Sequence, residues 1–127
     1  MYEQRIEIRW RDLDSSRHVN NAVYLSYLEE ARTGWLSDAL GPEGDLYGFV
    51  LARVAIDYRR ELTLDDVAVL ARCRLERVGS SSVTTVEEVR TDGGELAAEA
   101  ESVLVAWDQR AGSSRPLTDA ERAALSR

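Results

Sequence analysis

The chain has little sulfur, little histidine and no lysine. One cysteine cannot close an internal disulfide, which points to a reducing, cytoplasmic setting. One cysteine and one histidine cannot assemble an ordinary zinc site. No run of some 18 apolar residues exists, so a membrane span is not expected. The first residues, Met1-Tyr2-Glu3-Gln4-Arg5, lack the apolar core of a signal peptide. There is no G-x-S-x-G elbow, no P-loop and no G-x-G-x-x-G. Internal repeats, low-complexity tracts and linkers are also missing, so residues 1–127 read as one domain. All sixteen basic residues are arginine, against 23 acids, and the net charge of −7 argues against nucleic acid and anionic membranes as partners.

What is present is organised around Ile6 to Leu40. Ile6, Ile8 and Trp10 alternate with Glu7, Arg9 and Arg11, the period of a half-buried strand. Further on, Tyr24, Leu25, Leu28, Ala31, Trp35, Leu36 and Ala39 fall on one helical face, and Ser26, Glu29, Glu30, Thr33 and Ser37 on the other. Between strand and helix lies a polar loop, Asp12 to Asn21, with two aspartates and the only histidine. Asn20 or Asn21 can cap the helix, whose start is a region of positive potential with unpaired N–H donors.

The remainder reads as strands and tight turns. Phe49–Glu61 and Val67–Leu75 are expected strands, Leu64-Asp65-Asp66 a turn, and Ser82–Arg90 a strand favoured by its β-branched residues. Thr91-Asp92-Gly93-Gly94 is a hairpin turn leading into a last strand, Glu95–Trp107. That strand changes phase between Ala100 and Val103, so a bulge is expected near Glu101 or Ser102. Thr118-Asp119-Ala120-Glu121 is a capping box for a short terminal helix. One strand, one long helix and four further strands make an α+β pattern, in which a curved antiparallel sheet must wrap the only helix able to cover it.

Several residues could carry chemistry. Asp14 combines a carboxylate with a nearby helix start, the pairing needed to attack a carbonyl and stabilise the resulting oxyanion, although aspartate is also common before helices. Asp12 reads as a turn residue or a partner for Arg9 or Arg11. His18 invites a catalytic reading because histidine as a residue type changes charge near neutral pH, but it is more simply a loop-orienting residue. Glu29, Glu30 and Arg32 read as a solvated helix face. Arg59, Arg60 and Arg77, with the Gly79-Ser80-Ser81-Ser82 turn, could hold phosphates and a polar chain. Cys73 is in register with Val69, Ala71 and Leu75 and belongs to the core.

The stretch D-L-D-S-S-R-H-V-N-N-A-V-Y-L-S-Y-L-E-E-A-R resembles the signature loop and helix of hotdog-fold acyl-CoA thioesterases of the 4-hydroxybenzoyl-CoA thioesterase type. Its H-V-N-N variant is also similar to plant acyl-ACP thioesterases. The resemblance implies a hotdog fold, hydrolysis of an acyl-CoA thioester to acid and coenzyme A, and no metal or other cofactor. It places Asp14 as nucleophile or general base and Asn21 as the residue whose backbone N–H polarises the carbonyl. Tyr24 would line an acyl tunnel and the Ser80-Ser81 turn would approach the pantetheine arm, which leaves Arg59 and Arg77 as phosphate contacts on the chemistry of arginine alone. A homodimer or homotetramer is implied, with active sites between subunits and the Glu-Ala-Arg element as an interface ion pair. Ser16 stands where the plant enzymes carry a catalytic asparagine, and Ser15-Ser16-Arg17 replaces the Pro-x-Gly frequent in the 4-hydroxybenzoyl-CoA enzymes. An acyl-ACP thioesterase and a non-catalytic acyl-thioester binding subunit remain alternatives.

Overall fold

The computed structural model describes residues 1–127 and is an antiparallel sheet curled around one helix. The elements in order are β1 (Tyr2–Glu7), a 3-10 turn at Trp10–Asp12, α1 (Asn21–Leu40), a second 3-10 turn at Leu46–Gly48 and β2 (Phe49–Tyr58). A third 3-10 turn, Leu64–Asp66, precedes β3 (Ala68–Val78), β4 (Ser82–Thr91), β5 (Leu96–Asp108), the two-residue β6 (Ser113–Ser114) and α2 (Asp119–Leu125). The strand order is β1-β3-β4-β5-β2, with β6 paired to the end of β5. The sheet is antiparallel throughout. This is the expected α+β, hotdog architecture.

Its inner face follows from the register. Val69, Ala71 and Cys73 of β3, Val83, Thr85, Glu87 and Val89 of β4, and Ala98, Ala100, Ser102 and Leu104 of β5 are all buried. Against them lie Tyr24, Tyr27, Leu28, Ala31 and Leu36 of α1. The helix packs on β3, β1 and β4. The inward side of β2 is only partly covered: Phe49 is buried and Val54 and Ile56 pack against the core, while Leu51 and Tyr58 remain exposed although their pairing partners Leu104 and Ala98 are buried. Strand β2 is therefore a long sheet edge that leaves Leu51 and Tyr58 bare. Gly34, in the middle of α1, is where Tyr2 crosses the helix, and any Cβ there would run into the tyrosine ring.

Four expectations need correction. The first strand begins at Tyr2 and ends at Glu7; after Ile8 the chain turns, held by the Arg9–Asp12 capping box, so Trp10 points into solvent. Within α1, Leu25 falls on the open side and is not core. The bulge in β5 is at Ala97, where Arg90 pairs with Leu96 immediately after Val89 pairs with Ala98. From Ala98 onward the inward phase is unbroken, and Val103, Val105 and Trp107 are half-buried on the opposite face. The apparent phase change came from both faces being apolar there. Finally, Arg32 is not on a solvated face, nor does it look for a partner outside the chain. It is 6% exposed and bonds through Nη1 to both oxygens of the fully buried Glu87, at 3.1 and 3.0 Å, and to Ser102 Oγ. Thr85 and Ser102 donate their hydroxyls to the same carboxylate.

Candidate active site

The loop before α1 is a miniature hairpin. Leu13 and Val19 form an antiparallel bridge, Asp14 N–H bonds His18 O at 3.0 Å, and Arg17 N–H closes the turn on Asp14 O at 3.0 Å. This tightness puts Arg17 at a φ of 68°, a left-handed conformation uncommon outside glycine. The hairpin is anchored on both sides, by Val19 N–H to Leu62 O and by Asn20 N–H to Asp12 O.

Asp12 is the internal brace. Its buried carboxylate accepts the Arg9 backbone N–H, the Arg9 guanidinium and the Tyr27 hydroxyl, the last at 2.8 Å. Burial works to raise its pKa, but those donors together outweigh it and hold the group below the usual carboxylate value. Both roles the sequence allowed it are realised, turn residue and ion-pair partner of Arg9, and the Tyr27 hydroxyl ties it to α1.

Asp14 differs in its exposure and in its partners. It is exposed, and only Oδ1 is engaged, by the hydroxyl and the N–H of Ser16. These two donors, with His18 contributing a smaller attraction, lower its pKa despite some desolvation. Oδ2 receives no hydrogen bond from the chain. Nearby, Asn20 caps α1, accepting the Ala22 N–H on its side chain at 2.8 Å and the Val23 N–H on its carbonyl. The Asn21 N–H, first of the helix, finds no acceptor within the protein. Asp14, with one unengaged carboxylate oxygen, and Asn21, with an unengaged N–H, are both among the residues lining one cavity of about 400 Å³, together with Ser16, His18, Tyr24, Tyr58, Arg59, Arg60 and Glu61.

The other expected site residues divide by location. His18 is half-exposed on the cavity wall, its Nε2 3.3 Å from Glu61 Oε2. Tyr24 reaches the cavity but is anchored: its hydroxyl donates to Arg60 O, its ring meets Tyr58 edge-on at 5.1 Å, and burial pushes its pKa up to about 12. Arg59 is at the rim but already paired with Glu99 and Asp57, and Arg60 with Asp66 and Glu95. Arg77, Ser80 and Ser81 are elsewhere. They lie at the far end of β3, a strand of eleven residues, or roughly 36 Å at 3.3 Å per residue, that begins beside the Asp14 loop. There Arg77 bonds Thr84 Oγ1, while the Ser80 and Ser81 carbonyls accept N–H groups of Leu117 and Ala106. Within one chain, then, the turn and Asp14 are not brought together. Cys73 is buried in the core, and burial foremost pushes its thiol up to about 12.

Sequence reasoning passed over the Glu87 carboxylate and left the Asn21 N–H to the resemblance. The first had a signal: glutamate at an inward position of β4, between Thr85 and Val89, demands a buried cation, and Arg32 occupies the right helical phase. The second depends on which asparagine caps the helix. No group of three or more His, Cys, Asp or Glu is gathered as metal ligands would be.

Comparison with known proteins gives the same picture. Residues 8–125 match the family model described as the Thioesterase-like superfamily. The chain is 29% identical over 109 residues to the long-chain acyl-CoA thioesterase FadM of Escherichia coli, covering 84% of this chain and 83% of that protein. A shorter stretch of 59 residues is 39% identical to the chloroplastic oleoyl-acyl carrier protein thioesterase of Coriandrum sativum, covering 46% of this chain and 14% of that protein. Among solved structures, a thioesterase from Thermus thermophilus, complexed with coenzyme A and Zn, superposes with a TM-score of 0.86 at 37% identity, over 97% of this chain and 90% of that one. With the curled sheet, the wrapped helix and the match over nearly its whole length, this chain belongs to the Thioesterase-like superfamily and is a hotdog-fold thioester hydrolase.

Proposed function

We propose that this protein hydrolyses acyl-CoA thioesters, with Asp14 as the reacting carboxylate and the Asn21 N–H as oxyanion donor. The observation that supports the reading is that Asp14 and Asn21, which retain an unengaged Oδ2 and N–H respectively, line the same cavity, on a braced loop and a capped helix. In the nucleophilic route Oδ2 adds to the thioester carbonyl carbon, the oxyanion forms against Asn21 N–H, and the C–S bond breaks to release the thiolate. Water then cleaves the resulting anhydride, returning Asp14 and freeing the acid. In the general-base route Oδ2 takes a proton from the attacking water and the same oxyanion collapses with loss of thiolate. The lowered pKa of Asp14 keeps it ionised at neutral pH, as both routes require.

The thiol arm calls for a second subunit. Strand β2 is an unpaired sheet edge with Leu51 and Tyr58 exposed, a surface that stable proteins cover. Pairing it antiparallel with its own copy across a two-fold axis sets the Tyr58 end of one subunit beside the Phe49 end of the other. The partner's Ser80–Ser81 turn, which lies at that end, is thereby carried toward Asp14, so the site would be shared between subunits. This supports Ser80, Ser81 and Arg77 as pantetheine and phosphate contacts supplied in trans, and Tyr24 and Arg59 as contacts in cis.

The test is thiol release from a panel of acyl-CoA and acyl-ACP substrates by wild type and Asp14→Asn. Asn keeps the size and removes the charge at an exposed position, so folding should be unchanged while turnover falls at least ~10²-fold. Wild-type turnover in the variant would remove Asp14 from the mechanism, and an inactive wild type would favour the non-catalytic binding subunit.

A further inference from the structure

Tyr58 ends the edge strand β2 and is among the residues lining the cavity that Asp14 and Asn21 share. It follows Val54 and Ile56 in the inward phase of the strand, opposite the small side chain of Ala98, and its ring reaches the start of α1. There the hydroxyl donates to Asn21 O at 2.9 Å, the only hydrogen bond between α1 and β2. The ring is held as well. It meets the Tyr24 ring edge-on at 5.1 Å, and Tyr24, 2% exposed, is itself tied by its hydroxyl to Arg60 O. A phenylalanine at position 58 would meet Tyr24 equally well. What the hydroxyl adds, on a side chain still 42% exposed, is the tie to Asn21.

Helix ends fray, and an N–H stabilises an oxyanion only if it is already aimed when the charge develops. Two ties oppose fraying at the start of α1. Asn20 holds the first turn from outside the helix, taking the Ala22 N–H on its side chain at 2.8 Å and the Val23 N–H on its carbonyl. Tyr58 holds it from the sheet, using the lone pair of Asn21 O that a helical hydrogen bond leaves free. The Asn20 carbonyl belongs to the peptide group that carries the Asn21 N–H, and the Asn21 carbonyl belongs to the next one. The planes on both sides of the Asn21 α-carbon are therefore fixed, one by the cap and one by the tyrosine. We propose that Tyr58 is a positioning residue, which keeps the Asn21 N–H aimed at the oxyanion without itself touching the substrate; the proposal rests on the thioesterase reading above.

Two measurements on Tyr58→Phe test it. The variant should lose kcat about tenfold, less than the ~10²-fold or more that follows outright removal of an oxyanion donor, and keep its KM. The factor should be the same for acetyl and decanoyl thioesters, and for coenzyme A and pantetheine as the thiol. Wild-type kcat overturns the proposal. So does a rise in KM that depends on the acyl or the thiol part, which makes Tyr58 a substrate contact. The second measurement needs no turnover. Amide exchange followed by NMR should quicken at Ala22 and Val23, while Leu28 in the middle of α1 keeps its protection. Exchange that is unchanged, or quickened along the whole helix, overturns the proposal, the second because the variant is then merely less stable. Quickened exchange confined to the first turn, in a protein inactive on every thioester, would retain the tie and refute the hydrolase reading alone.

Discussion

Replacing Glu87 by glutamine tests whether the buried Arg32 pair holds the helix to the sheet. The carboxylate is fully buried and accepts four hydrogen bonds, two from Arg32 Nη1, one from Ser102 Oγ at 2.7 Å and one from Thr85 Oγ1 at 3.0 Å. Glutamine keeps the shape, loses the charge and turns an acceptor into a donor facing donors. Breaking a buried pair by removing one partner typically costs about 3–5 kcal/mol, since the remaining ion is left uncompensated. The two hydroxyls can rotate to accept from the new amide, which puts Glu87→Gln at the lower end, about 3 kcal/mol. For a domain of this size that lowers Tm by roughly 10 °C. The double variant Arg32→Met/Glu87→Leu removes both charges together and should recover most of that loss. Urea unfolding with a double-mutant cycle reads both outcomes. Were Glu87→Gln within ~0.5 kcal/mol of wild type, or were the double variant to lose the sum of the two singles, the pair would not act as a unit.

The pH dependence separates the two candidate titrating groups. With Asp14 as the proposed reacting carboxylate, required ionised and with its pKa lowered, activity should hold as pH falls and be lost only below the ordinary value of 3.8, as far as the fold survives. A histidine base would place that limb near ~6.5, and the limb would vanish in His18→Ala; with Asp14 as the reacting group that variant loses less turnover than Asp14→Asn and keeps the acidic limb. Strong chelators should leave thiol release unchanged, and a chelator-sensitive enzyme would need a metal role that these residues do not provide. Light scattering should give at least twice the chain mass of 14.2 kDa, whereas a fully active monomer would refute the shared site.

The local chemistry of the site was legible in the order of residues. The strand, the aspartate loop, the capping asparagine and the amphipathic helix are set by alternation, turn propensity and helical period, all properties of neighbours. So were the capping box of α2 and the core register of Cys73. The tertiary structure decided what depends on distant partners. It showed that Asp12 braces and Asp14 is free, because only packing brings Tyr27 to one aspartate and leaves the other in solvent. It put Arg32 inside, since a charged residue on a helix is read as solvated until a buried carboxylate on β4 is set against it. It also turned Trp10 outward and sent the Ser80 turn to the far end of the sheet. Periodicity says which side of an element faces inward; where the element stops, and what stands opposite it, belong to the fold.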